Sequence, residues 1–118
     1  MEIVEEFECT SIAAWASWLE KNHASSTGVW LVTHKKASPE ASLDYDEMVC
    51  EALCWGWVDS KVGRVDEWRT KTYFTPRRPT SAWSTSNKLR VERLVAEGRM
   101  RGPGLAAVQR AKASGRWA

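Results

Sequence analysis

The chain has 118 residues, of which 43% are hydrophobic and 27% are charged; this length suits one domain with its own core, and this composition excludes a disordered chain. No apolar run approaches the roughly 18 residues that a membrane-spanning helix needs. The formal net charge of +2 conceals an uneven distribution, because residues 1–60 hold 3 basic and 11 acidic residues whereas residues 61–118 hold 14 basic and 4 acidic ones.

The first predicted elements are a strand over residues 3–9 and a helix that Thr10 or Ser11 can cap. The acidic start of the chain lacks the basic and apolar regions of a signal peptide, so the expected location is cytoplasmic. Polar residues 22–28 end the helix. Its apolar positions recur at helical spacing: Ile12, Trp15, Ala16 and Leu19.

Residues 28–36 are nearly continuous in apolar side chains, which predicts a central strand covered on both faces. A capping box from Asp44 to Glu47 begins the next helix, over residues 44–55, and its apolar second half indicates a buried helix. Gly56 then marks either the end of that helix or a place where another backbone comes close.

Two further strands are predicted over residues 58–62 and 68–74, joined as a hairpin by a polar connection. The Pro-Arg-Arg-Pro corner at 76–79 ends the second strand, since proline cannot continue a ladder. Helices follow over residues 85–97 and from Pro103 to Gly115.

These elements predict a single α+β domain over residues 1–118, in which a small antiparallel or mixed sheet of three or four strands packs with four helices. The chain is rich in tryptophan, and most of its indole rings are expected to wall the core. The three cysteines, Cys9, Cys50 and Cys54, are predicted to be buried apolar residues. The predicted core comprises Trp15, Leu19, Trp30, Leu31, Val49, Leu53, Trp57, Leu89 and Leu94.

The stretch YFTPRRPTSAWSTSN, residues 73–87, predicts an anion-binding corner. Proline restricts the backbone around Arg77 and Arg78, and guanidinium groups fit phosphate or carboxylate oxygens. Ser84 is expected to cap a helix whose first N–H groups and dipole also attract anions. The predicted ligand-binding residues are Arg77, Arg78, Trp83, Ser84, Asn87, Arg90 and Asp59.

Asp59 has two interpretations that the sequence leaves open. It follows the aromatic pair Trp55 and Trp57, where it can receive an arginine in a structural ion pair or serve as a catalytic carboxylate of raised pKa. His23 and His34 complete no nucleophile or zinc pattern. We therefore predict no catalytic residue, no metal and no cofactor.

Three segments carry a family resemblance: LEKNHASSTGVWL at 19–31, EALCWGWVDS at 51–60 and FTPRRPTSAWSTSNKLRVERLVAEGRM at 74–100. Together they closely resemble the bacterial YdeI/OmpD-associated family, whose members are often labelled bacteriocin-protection proteins. The resemblance covers roughly residues 7–117 and implies a link to envelope stress but no defined chemistry. Such proteins typically continue past the GRW at 115–117 into a further helical segment, and a function of that segment would be absent here.

The function that the sequence favours is a small binding module for a phosphate-type anion. Donors and fixed cations are plentiful, while a base–nucleophile pair is missing. One alternative is an enzyme that uses Asp59 with the arginines. Another is a module that binds nucleic acid or an acidic protein through the basic second half, if the halves do not dock on each other. No membrane partner is expected, and the oligomeric state stays open.

Overall fold

The computed structural model describes residues 5–78 and 82–117. Pro79, the second proline of the predicted corner, and residues 3–4 of the first predicted strand lie outside these ranges. In chain order the elements are β1 (Glu6–Glu8), α1 (Ile12–Asn22), β2 (Val29–His34), α2 (Tyr45–Cys54), β3 (Trp57–Arg64), β4 (Arg69–Pro76), α3 (Thr85–Ala96) and α4 (Gly102–Ala113).

The strands form one mixed sheet in the order β1-β2-β4-β3. β1 runs parallel to β2, whereas β2 and β3 both pair antiparallel with β4. The α+β class and the β3–β4 hairpin are therefore confirmed. β4 includes Pro76, which pairs with Trp57 as its last residue. A proline is tolerated at the end of a strand because the lost N–H would have no further partner there.

Serine and aspartate side chains begin three of the helices. Ser11, Asp44 and Ser84 accept hydrogen bonds from the backbone N–H groups of Ala14, Asp46 and Asn87, each at 3.1 Å. Asp44 thus bonds two residues ahead rather than to Glu47, as a full capping box would require. In α4, Gly102 precedes Pro103 at the start of the helix.

The core lies between the helices and one face of the sheet. Its largest fully buried side chains include Trp15, Leu19, Leu31, Val49, Leu53, Trp57, Phe74 and Leu94, and the three cysteines are buried and unpaired as disulfides. The prediction that Leu89 belongs to the core is wrong, because this residue is 60% exposed. The buried positions of α3 are 87, 91 and 94, and Leu89 lies about 200° around the helix from Val91 at roughly 100° per residue.

The prediction that Trp30 is largely buried in the core is also wrong, because this residue is only half-buried. It lies on the sheet face opposite Val29 and Leu31, because side chains alternate along a strand. Two side chains neighbour it there. The centre of the Tyr73 ring lies 5.1 Å from the centre of the Trp30 ring, and Lys71 Nζ lies 4.5 Å from that centre. β2 is therefore central in the sheet, but its outer face is covered by side chains of other strands rather than by a helix.

The acidic and basic halves of the chain dock on each other. Within the described residues, ion pairs join Glu8 to Arg69, Glu6 to Lys71, Asp46 to Arg90 and Arg93, and Glu51 to Arg99. Part of the charge asymmetry is thus used inside the fold. None of the described helices has the length and apolar character that crossing a membrane requires.

Candidate anion site

A cleft of about 800 Å³ opens beside the edge strand β3, between the first residues of α2 and α3. Polar and charged side chains from distant parts of the chain meet on its walls. Six of the seven predicted ligand-binding residues line it: Asp59, Arg77, Arg78, Ser84, Asn87 and Arg90. Trp83 does not.

The turn at Gly56 positions Arg77. Gly56 has a φ of +79°, and a Cβ added there would lie 2.9 Å from the carbonyl oxygen of Pro103. Only glycine tolerates both conditions without strain. Its carbonyl oxygen accepts a hydrogen bond of 2.9 Å from the Arg77 N–H. Gly56 is therefore both the end of the α2 segment and a close backbone approach.

The Arg77 side chain is buried, with only 9% of its surface exposed. Its guanidinium carbon lies 3.8 Å from the centre of the Trp83 ring, and Nη2 donates to the Ala82 carbonyl oxygen at 2.9 Å. Among the described residues, the buried Nε has no hydrogen-bond partner and no carboxylate lies within ion-pair distance. Burial lowers the pKa of Arg77, and the Asp59 charge opposes that effect. Arginine nevertheless stays charged at neutral pH.

The N-terminus of α3 faces the same cleft. Ser84 accepts the N–H of Asn87, so the N–H groups of Thr85 and Ser86 are left without a partner inside the helix. The hydroxyls of Ser84 and Ser86 lie 3.2 Å apart. A helix N-terminus carries a partial positive charge, which adds to the positive potential beside Arg77.

Arg90 forms an ion pair with Asp46, a partner that the sequence analysis did not predict. Its Nε donates to Asp46 Oδ1 at 2.7 Å, and Nη1 donates to Asn87 Oδ1 at 2.8 Å. Arg93 Nη2 binds the other oxygen of Asp46 at 3.0 Å. These hydrogen bonds hold the pKa of Asp46 below its usual value. Arg90 therefore orients Asn87 while its charge is largely balanced.

Asp59 accepts a hydrogen bond from the Tyr45 hydroxyl at Oδ2. The strand is irregular at this point, because the β3–β4 register shifts between Asp59 and Lys61. Burial and the hydrogen bond to Asp59 raise the pKa of Tyr45 to about 12. The tyrosine thus remains a donor at neutral pH. Within the described residues Asp59 forms no arginine ion pair, so the structural ion-pair interpretation is wrong there. The interpretation as a catalytic carboxylate stays a prediction.

Trp83 lies behind the cleft wall. Its buried ring packs on the Arg77 guanidinium and against Trp117, with 5.1 Å between the two indole ring centres. The indole ring of Trp83 thereby covers one side of the Arg77 guanidinium. Trp83 can act on a ligand only through Arg77.

The model of a protein family described as a domain of unknown function, DUF8412, matches residues 7–107. The chain belongs to this family. The matched range includes every lining residue of the cleft in this DUF8412 domain, from Tyr45 to Arg90. No match was found among curated proteins or among solved structures.

Two further residues at the site of this DUF8412 domain were missed from the sequence, namely Tyr45 and Asp46. Both belong to the first turn of α2, where acidic residues are common for reasons of helix stability alone. The excess of acidic residues in the first half was the available signal for Asp46. Tyr45 had no signal, because its bond to Asp59 joins α2 to β3.

The histidines of the DUF8412 domain lie outside the cleft. His23 Nδ1 lies 2.9 Å from the Leu19 carbonyl oxygen at the end of α1. His34 lies between the Ser38 hydroxyl, at 3.0 Å, and Glu8 Oε2, at 3.2 Å. Ser38 Oγ also accepts the Glu40 N–H, so this serine caps a turn. In the described ranges, no cluster of three or more His, Cys, Asp or Glu side chains could hold a metal ion.

Proposed function

We propose that this chain is a small binding module whose cleft takes a phosphate-type anion. The observation that carries the proposal is Arg77, a buried cation with no carboxylate within ion-pair distance among the described residues. A buried charge without a counter-charge within ion-pair distance is costly, and an anion in the cleft would offset that cost. Residues 79–81, which lie outside the described ranges, are Pro-Thr-Ser and have no side-chain carboxyl group.

The arrangement around Arg77 supports a phosphate in particular. The guanidinium packs on the Trp83 ring, so little side-chain freedom is lost on binding. Among the described residues, Nη1 and the second proton of Nη2 remain available to phosphate oxygens. The N–H groups at the start of α3 and the exposed Arg78 supply further donors on the same cleft. Helix N-terminus, hydroxyls and arginine together are a common phosphate-binding combination.

The arginines of the cleft divide into two roles under this proposal. Arg77 binds the anion, whereas Arg90 supports the site by holding Asn87 and pairing with Asp46. Only the first role depends on a ligand.

An enzyme that uses Asp59 with the arginines is the second candidate. Its supporting observation is that Asp59 and the Tyr45 hydroxyl line the same cleft as Arg77. Binding is favoured, because arginines, hydroxyls and helix N–H groups dominate the polar lining, and among the described residues no serine, threonine or cysteine of the cleft is hydrogen-bonded to a carboxylate or imidazole.

The resemblance to YdeI/OmpD-associated proteins adds a biological setting to this proposal. The setting is a cytoplasmic role in bacteria during envelope stress or bacteriocin exposure, and its support is the three sequence segments quoted above. A deletion strain complemented with wild type or with Arg77→Ala tests it. Survival restored by both genes alike would separate the phenotype from the anion site.

Titration of inorganic phosphate by calorimetry or by amide NMR tests the anion site. We expect Arg77→Ala to weaken phosphate binding by tenfold or more, because it removes charge-assisted hydrogen bonds. Arg64→Ala is the matched control, since it removes the same charge from an exposed position outside the cleft. A wild-type protein without affinity for phosphate or sulfate would overturn the proposal.

A further inference from the structure

We propose that the ligand of this cleft is a zwitterionic phosphoester, in which a phosphate group meets Arg77 and an ammonium group meets Asp59. This inference rests on the anion site proposed above and specifies its ligand class. It follows from Asp59, a carboxylate on the same cleft, whose charge a simple anion does not neutralise.

Asp59 brings negative charge into a cleft whose other charged residues are all arginines: Arg77, Arg78 and Arg90. The Tyr45 hydroxyl binds Oδ2 and thereby fixes the orientation of the carboxylate. Among the described residues, Oδ1 has no hydrogen-bond partner. One acceptor of this carboxylate, on a residue that lines the cleft, is therefore available to a ligand.

A ligand that is negative along its whole length would be attracted by Arg77 and repelled by Asp59. A ligand with an anionic group at one end and a positive group at the other would be attracted by both Arg77 and Asp59. An ammonium group is favoured over a hydroxyl, because it both donates to Oδ1 and neutralises the charge of Asp59.

The size of the cleft agrees with a ligand longer than a phosphate ion. Its volume is about 800 Å³, within the roughly 300–1,000 Å³ of typical small-molecule sites. Arg77 and Asp59 come from adjacent strands or their ends, since Asp59 pairs with Phe74 and Arg77 follows β4. A short phosphoester can contact two groups on neighbouring strands.

Three ligands in parallel titrations test the inference on the wild-type protein: inorganic phosphate, O-phosphoethanolamine and glycerol 3-phosphate. The last two differ chiefly in whether an ammonium or hydroxyl groups accompany the phosphate. We expect phosphoethanolamine to bind at least tenfold more tightly than glycerol 3-phosphate. Equal affinities would overturn the inference while leaving the anion site intact, and failure of all three ligands would overturn both proposals.

The variant Asp59→Asn should change the affinities for phosphoethanolamine and for inorganic phosphate in different ways. The amide keeps the shape and an acceptor for Tyr45 but removes the charge. We expect the preference for phosphoethanolamine to disappear and the affinity for inorganic phosphate to rise, because the repulsion from Asp59 is gone. A preference that survives in this variant would overturn the inference. The comparison of ligands on wild type keeps the test valid if the variant folds poorly.

The same pair of groups occurs in free metabolites and in lipid headgroups. Co-sedimentation with phosphatidylethanolamine vesicles separates the two sources. Binding of soluble phosphoethanolamine without binding to the vesicles supports a free phosphoester, and binding to both, lost in Arg77→Ala, supports a headgroup. Vesicle binding that Arg77→Ala leaves unchanged would contradict recognition of the headgroup by this cleft.

Discussion

Arg77 and Arg90 are both arginines that line the cleft, but their hydrogen-bond partners differ. Arg90 is hydrogen-bonded to Asp46 and Asn87, so its charge and donors are used within the protein. Arg77 is more deeply buried, and its Nε has no partner among the described residues. Under the proposed function, one arginine of the cleft is therefore structural and the other binds the ligand, depending on the partners that the fold supplies.

Replacing Arg77 by methionine should separate stability from binding. The unbranched side chain can still pack on Trp83, and removal of an unpaired buried charge is often neutral or stabilising. We expect the free energy of unfolding to change by less than about 1 kcal/mol, or to rise, while phosphate affinity is lost. Urea denaturation combined with phosphate titration checks both. A loss of about 3–5 kcal/mol would mean that Arg77 has a structural anionic partner.

Asp46 should make the protein sensitive to acid. Hydrogen bonds from Arg90 and Arg93 depress its pKa in the folded state below its ordinary 3.8. Its contribution to stability is therefore complete above that value and is lost as the pH falls through the lower folded pKa. We expect the difference in unfolding free energy between wild type and Asp46→Asn to shrink between about pH 5 and pH 2.

Denaturation curves at several pH values measure this difference. Glu20→Gln is the control, since it removes an exposed carboxylate that has no ion pair among the described residues. A difference for Asp46→Asn that does not vary with pH would show that the ion pairs with Arg90 and Arg93 contribute nothing to folding.

At the scale of elements, the contact between α2 and α4 holds the back of the site in place. Arg101 N–H donates to the Cys54 carbonyl oxygen at 3.0 Å, where α2 ends and α4 is about to begin. A Cβ on Gly104 would lie 2.3 Å from that same oxygen, and one on Gly56 would meet Pro103. Two glycines thus allow the helix ends to touch, and the Gly56 turn in turn places Arg77.

Gly104→Ala should therefore destabilise the protein. The added methyl group overpacks against backbone that cannot move aside, which typically costs about 1–3 kcal/mol. Gly102→Ala is the matched control, because it lies in the same helix with nothing within 4 Å of the added atom. Thermal melts of both variants check the contrast. Equal melting temperatures for the two variants would contradict the close packing of α2 and α4.

For the molecule as a whole, part of the uneven charge is used in ion pairs between the acidic half and the basic half. The formal net charge of the chain is only +2. A protein of this kind has little long-range attraction for a polyanion.

We accordingly expect no measurable binding to DNA or RNA at physiological salt. Gel-shift and anisotropy titrations at low and physiological ionic strength check this. Nonspecific phosphate contacts weaken steeply with salt, in proportion to their number. Tight binding with such a salt dependence would favour the nucleic-acid alternative over the small anion.

The α+β class, the order of the elements and the helix starts at Ser11, Asp44 and Ser84 were predictable from the sequence. Capping and hydrophobic periodicity depend on neighbours within a few residues, so the sequence records them directly. The approach of Arg77, Ser84 and the start of α3 to one cleft followed from the same local reasoning, because a proline corner leads straight into a capped helix.

The partners across elements could not be predicted in this way. The bond of Asp46 to Arg90, that of Tyr45 to Asp59 and the outward position of Trp30 depend on how α2, α3 and β2 rotate and align as they pack. Rotation by one residue in a helix, or a shift by one in a strand, redirects a side chain to another face. The sequence by itself therefore determines which functional groups are present and the local conformation around them. Charge partners and burial are decided only when the elements pack together.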